Sequence, residues 1–312
     1  MAQFTRRAFT AMMAGAPLAA AAQEPLPHRR LGRINFQTSI LGFGAQHLGD
    51  NGVEQSLVDR TIAEAIDSGV NYVDTAPTYE ASEIRVGYAL KGKRDKVFLV
   101  SKVEILSRPD VLYQVKESLR KLQTDHLDCV HLHNVGRMER WPDMEFVLKH
   151  EEGALAGLIE AKKQGLIGHI GCSTHMRVTR VLPAFAIDHI ELFMCPINFV
   201  DRHIYNFEEK VLPEARKNNI GIIAMKALGG PVKPASAQIS DARDYPMAMR
   251  YAWGVPGVAV VNLGMRNPDE LRIALAAARS YKPFEASELP AVTARGKELA
   301  AKWGGPIRGP IA

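Results

Sequence analysis

Eight short apolar runs, each followed by an amphipathic stretch, constrain this chain more than any other feature. The runs are TSILGFG (38–44), NYVDTA (71–76), VFLVSKV (97–103), LDCVHLHN (127–134), GHIGCST (168–174), LFMCPIN (192–198), GIIAMKA (221–227) and GVAVVNLG (257–264). They are rich in β-branched residues and apolar on both faces, as parallel strands buried on both sides are. Helical periodicity appears between them in VEQSLVDRTIAEAIDSG, RPDVLYQVKESLRKLQ, FEEKVLPEARKNN and NPDELRIALAAARS. Asn267 before Pro268 is a helix-start signal, and Gly69 and Gly165 are stop signals. Eight such units in roughly 290 residues fit an α/β fold of the (β/α)8 TIM-barrel type, which needs about 250. A doubly wound sheet would place G-x-G-x-x-G after an early strand, and GFG at 42–44 continues as AQHLG instead. No linker interrupts residues 23–312, so one domain is expected there. The longest connections, 135–152 and 228–246, leave the C-terminal ends of strands, where barrels keep their active sites. The Pro-rich tail 283–312 reads as a last helix and an irregular cap.

The first 22 residues differ from the rest. Thr5-Arg6-Arg7-Ala8-Phe9, a short apolar segment and an alanine run before Gln23 read as an export signal resembling the twin-arginine type. They predict a periplasmic protein carried by the twin-arginine (Tat) export machinery with no stable membrane anchor, the apolar part being shorter than the roughly 20 residues that span a bilayer. The 39 Lys and Arg are dispersed among 34 Asp and Glu, with no basic run interleaved with aromatics, so nucleic acid is not an expected partner. Cys129, Cys172 and Cys195 lie singly in apolar runs, which predicts core residues rather than metal ligands.

Four titratable side chains end successive strands: Asp74 and, in its loop, Tyr79; then Lys102; then His133. A lysine or histidine ending a buried strand is costly without a partner. Together their chemistry is complementary. An ammonium beside a phenol favours the phenolate, a carboxylate holds the ammonium, and an imidazole orients a carbonyl. Tyr79 is then a general acid toward a carbonyl oxygen while hydride reaches carbon, which calls for a nicotinamide hydride source. His131 and His133 form an H-x-H pair of the kind metal-dependent hydrolases use, but later strand ends add only His175, and His169 lies at the opposite end. His131 is expected to be a hydrogen-bonded interior residue and no metal is expected.

RRLGRINFQTSILGFG, GVNYVDTAPTYEASE, LVSKV, LDCVHLHN, GHIGCST and GIIAMKALGG together resemble the aldo-keto reductase family over nearly all of residues 23–312. The first of these looks like the family's opening hairpin and first strand. The resemblance implies a catalytic tetrad of Asp74, Tyr79, Lys102 and His133, with a cofactor extended across the strand ends. It implies cofactor contacts at position 43 in the Gly42-Phe43-Gly44 turn, at Ser173, Thr174, Met225, Lys226 and Gly229, and at Arg266 and Glu270. Lys226 and Gly229-Gly230 are placed to meet the pyrophosphate. Thr174 stands where the family has an asparagine, Met194 where it has a glutamine, and Met225 where many members stack a tyrosine. NADP(H) is the family's usual cofactor and Arg266 suits its 2′-phosphate, whereas Glu270 suits the ribose hydroxyls of NAD(H). Arg272 is a poorer phosphate candidate, and Glu83 reads as first-turn helix chemistry. Trp141 is expected to line the substrate cavity. The expected activity is reversible reduction of an aldehyde, ketone or sugar-like carbonyl. An exported barrel that binds a carbohydrate-like ligand without redox turnover is the alternative.

Overall fold

The computed structural model describes residues 24–230, 239 and 241–312; the expected export signal and residues 231–238 and 240 of the connection 228–246 lie outside the described residues. A two-stranded antiparallel hairpin, β1 (His28–Arg30) and β2 (Gln37–Ser39), precedes eight parallel strands. These are β3 (Leu41–Gly44), β4 (Tyr72–Asp74), β5 (Phe98–Val103), β6 (Leu127–Leu132), β7 (Ile167–Ser173), β8 (Ile190–Pro196), β9 (Gly221–Met225) and β10 (Val258–Gly264). They close into a barrel in the order β10-β3-β4-β5-β6-β7-β8-β9, so the chain is the expected (β/α)8 barrel. The first expected strand divides at Ile40, its start joining the hairpin and its end the barrel.

Side-chain alternation decides what each strand sends to the site. Tyr72, Phe98, Val100 and Cys129 pack inside the barrel with Leu192, Met194, Ile223 and Met225, while Val73, Leu99, Val103, Val130 and Leu132 face the helices. With a period of two, Asp74, Lys102, His131 and His133 are therefore inward too. The hairpin plugs the opposite end: Leu31 and Ile34 enter the interior cluster. Gly32, with φ +56°, lies so close to Gly221 that a Cβ would come 2.3 Å from its nitrogen.

The helices Gln55–Asp67, Arg108–Leu122 and Pro268–Arg279 match expectation. FEEKVLPEARKNN does not form one helix but two, Phe207–Lys210 and Leu212–Lys217, because Pro213 has no N–H to donate and its ring clashes with a preceding carbonyl. The last helix, Leu289–Trp303, ends at left-handed Gly304. The tail then returns to the loop after β7, where Arg177 N and Val178 N donate to Pro310 O and Ile311 O at 2.7 and 2.9 Å. No helix among the described residues is long and apolar enough to cross a membrane. All three cysteines are free and buried.

Candidate active site

Lys102 is 1% exposed and donates to Asp74 Oδ1 and to the Thr75 carbonyl, both at 2.7 Å. Burying such a pair is expensive, and the loop after β4 places a third group above it. A turn from Ala76 to Tyr79 reverses the chain, and Ser82 ties it down by donating to Ala45 O at 2.8 Å. This brings the Tyr79 ring 4.8 Å from Lys102 Nζ and sets it edge-on to the His133 imidazole, with ring centroids 6.0 Å apart. The four expected catalytic residues thus meet at one mouth. Burial alone would push Lys102 down, but Asp74 and Tyr79 hold its pKa above the ordinary value. Burial raises the Tyr79 pKa, and Lys102 pulls the phenol down as expected without cancelling that rise. The phenol therefore stays protonated at neutral pH.

Three neighbours of the tetrad escaped the sequence reading. Glu104 sits 2.5 Å from His133 Nδ1 and is held from the other side by Arg140 at 2.9 Å. Asn262, on β10, donates to Asp74 Oδ2 at 3.3 Å. Asn134 accepts from His175 N at 3.1 Å, and its backbone N–H donates to Ser173 Oγ at 3.0 Å. Glu104 had a local signal, being two residues past Lys102. Asn262 had none, since it reaches Asp74 only because the barrel closes.

The remaining expected residues divide. Ser173 lies at the mouth beside Asn134, but Thr174 is fully buried and its hydroxyl donates to Met176 O at 2.7 Å. Asn134 places an amide side chain beside it at the end of β6, its oxygen accepting from His175 N. At position 43, Phe43 packs outward among the helices, so only the backbone of that turn reaches the mouth. Met225 and Met194 belong to the interior cluster. Lys226 adopts left-handed backbone, φ 57°, and lies against Gly230, where a Cβ would meet its Cδ at 2.4 Å. Burial, with help from Arg308 and Lys102, lowers the Lys226 pKa to about 8; it is no solvated lysine. Glu270 uses Oε2 to accept from Arg266 N at 2.8 Å, while its own N–H donates to the Asn267 side chain. That is helix-capping work, and it occupies one of the two carboxylate oxygens expected to face the nucleotide ribose. Arg272 pairs with Glu64 at 2.6 Å on the outside.

Trp141 does not line the cavity. It is fully buried, and its indole N–H donates to the His133 carbonyl at 2.8 Å. Glu83 is more than a first-turn residue: buried, it accepts from Ser101 Oγ at 2.7 Å. His131 is interior as expected, but among the described residues neither ring nitrogen has a hydrogen-bond partner, and burial pushes its pKa well down. His169 pairs with Glu191 at 2.9 Å. Among the described residues no group of three His, Cys, Asp or Glu is arranged to hold a metal ion.

Residues 40–244 match the profile of the Aldo/keto reductase family. The chain belongs to that family. It is 30% identical over 202 residues to the aldo-keto reductase YhdN of Bacillus subtilis, covering 59% of this chain and 57% of YhdN. It is 30% identical over 197 residues to the methylglyoxal reductase DkgB of Salmonella typhi, covering 61% of this chain and 67% of DkgB. Among solved structures, an aldo-keto reductase from Pseudomonas aeruginosa superposes with a TM-score of 0.69 at 28% identity, over 84% of this chain and 98% of that one.

Proposed function

We propose that the protein reduces a small aldehyde or ketone to the alcohol, reversibly, with a nicotinamide dinucleotide. The observation that carries this reading is the buried Lys102–Asp74 pair beneath the Tyr79 ring, with His133 edge-on beside it. A bound nicotinamide supplies the hydride. Tyr79 donates its proton to the carbonyl oxygen, Lys102 stabilises the phenolate that remains, and Asp74 keeps Lys102 charged and in place. His133 orients the carbonyl from the side.

The donor set suits a dinucleotide. The charges of Lys226 and Arg266 both act on His47, which also contacts Asp50 at 3.4 Å; the two cations follow the ends of β9 and β10 and suit phosphate groups. Gly229 and Gly230, with φ 83° and 71°, bare the backbone beside Lys226. Ser173 and Asn134 offer a hydroxyl and an amide for a carboxamide. With one Glu270 oxygen committed to Arg266 N, the two cations favour NADPH over NADH. Titrating with each nucleotide tests this: at 100 times its Kd the preferred one raises stability by about 2.7 kcal/mol, whereas no shift with either would overturn the reading. Tyr79→Phe is expected to lower kcat by about 10²- to 10⁴-fold while the nucleotide shift persists.

Export supports a further part of the reading. Arg6-Arg7 and the apolar segment before Gln23 direct the chain through the twin-arginine route to the periplasm, which carries folded proteins, so a nucleotide bound before export travels with the protein. Arg6→Lys with Arg7→Lys is expected to leave a tagged chain in the cytoplasm, and unchanged periplasmic recovery would refute the route.

A further inference from the structure

Arg308 lies on the irregular tail after the last helix, yet its side chain is only 6% exposed. Three contacts hold it. One amino group pairs closely with Asp201, the guanidinium lies over the Tyr205 ring with its carbon 4.8 Å from the centroid, and its backbone N–H donates to Tyr205 Oη at 2.7 Å. Tyr205 in turn donates to Gly309 O at 3.0 Å. These contacts would suffice to fasten the tail, and they leave donors over: Nε and Nη1 are buried without a hydrogen-bond partner among the described residues. A buried guanidinium donor without an acceptor is costly, so an acceptor brought by a ligand would be favoured here.

The place is beside the active site. Asp201, which holds Arg308, also accepts from Asn198 at 2.5 Å, and the same Asn198 amide donates to the Lys226 carbonyl at 2.9 Å. Arg308 is thereby connected through two side chains to the end of β9. From the other side its charge reaches His175, which also feels Lys226, His133 and Arg137. The tail is seated on the loop that carries His175, Arg177 N donating to Pro310 O at 2.7 Å, and the leading charges that act on His175 are the cations Lys226, Arg308 and Arg137 and the imidazole of His133. A neutral carbonyl compound has no use for that field, and an anion does.

We propose that Arg308 forms an anion-recognising subsite beside His175, and that the preferred substrate is a small carbonyl compound carrying a carboxylate. This rests on the carbonyl-reductase reading and names its substrate class. Asp201 and Tyr205 fix the guanidinium in advance, so little side-chain entropy is lost when the anion binds.

The test compares ω-carboxyaldehydes of increasing length, beginning with glyoxylate and including succinic semialdehyde, with chain-matched neutral aldehydes. The expected result is a kcat/KM at least tenfold higher for one or more of the carboxyaldehydes, and loss of that preference in Arg308→Gln. Tyr205→Phe, which loosens the tail but keeps the guanidinium, is expected to retain the preference. Succinate binding, measured by calorimetry without nucleotide, is expected in the parent chain and absent in Arg308→Gln. Equal losses for charged and neutral aldehydes in Arg308→Gln would make Arg308 a tail fastener and overturn the proposal. So would weaker NADPH binding in that variant with unchanged aldehyde preference, which would assign the arginine to the nucleotide. Arg308-dependent succinate binding without turnover of any aldehyde would instead refute the reductase reading and leave the subsite standing.

Discussion

Glu104 makes His133 more than a plain imidazole at the edge of a cavity. Burial pushes the His133 pKa down and the Lys102 charge pushes the same way, while contact with Glu104 opposes both. Glu104 is itself held below the ordinary carboxylate range: burial would raise it, but His133, Arg140 and Arg137 outweigh that. It therefore stays charged at neutral pH, fixing which ring nitrogen faces it and leaving the other toward the Tyr79 side. Glu104→Gln removes the nearer of the two carboxylate charges, Glu104 and Asp74, that support the imidazolium, so the His133 pKa falls further. The inflection it contributes to kcat/KM is expected to move to lower pH, with kcat/KM near neutrality reduced about tenfold, equivalent to ~1.4 kcal/mol of barrier. A pH–rate profile of folded variant and parent decides the point. An unshifted profile would leave Glu104 as no more than a partner for Arg140.

At the scale of elements, the strands were legible because their pattern is local. Phe98, Val100 and Lys102 alternate with Leu99, Ser101 and Val103, so the run that marks β5 also says that Lys102 enters the barrel. The same reasoning placed Asp74 and His133. It failed where a residue's role depends on a distant element. Asn262 meets Asp74 across 188 positions of sequence, and Arg308 meets Asp201 across 107. Neither pairing has a periodicity to betray it. Trp141 shows the same limit in a loop: its position after β6 suggested a cavity wall, whereas its N–H turns back to the carbonyl of His133. Trp141→Phe leaves that buried carbonyl without its indole donor and is expected to cost about 1–3 kcal/mol, read from the denaturant midpoint. Because His133 shifts with its backbone, kcat is expected to fall more than KM rises. Full activity at reduced stability would show that the bond supports the fold but not the site.

The molecule as a whole puts its charge balance at one end of the barrel. Lys102 is matched by Asp74, Arg308 by Asp201 and Arg140 by Glu104. Among the described residues Lys226 has no carboxylate within ion-pair distance. The groups that act on it are Arg308 from the tail, Lys102 from β5 and, in its favour, Asp74 from β4, while His47 and His175 flank the same opening. With its pKa lowered to about 8, Lys226 is mostly protonated below that pH and mostly neutral above it. A phosphate bridging toward it favours the protonated form, so nucleotide affinity is expected to be highest below about pH 8 and to weaken as pH rises through that value. The bound anion also raises the lysine's pKa, so binding near pH 8 takes up a fraction of a proton. Calorimetry of NADPH binding in two buffers of different ionisation enthalpy measures that uptake directly, without turnover. Lys226→Met is expected to weaken binding and abolish the uptake together. Uptake that survives the substitution would move the titrating group to His47 or His175.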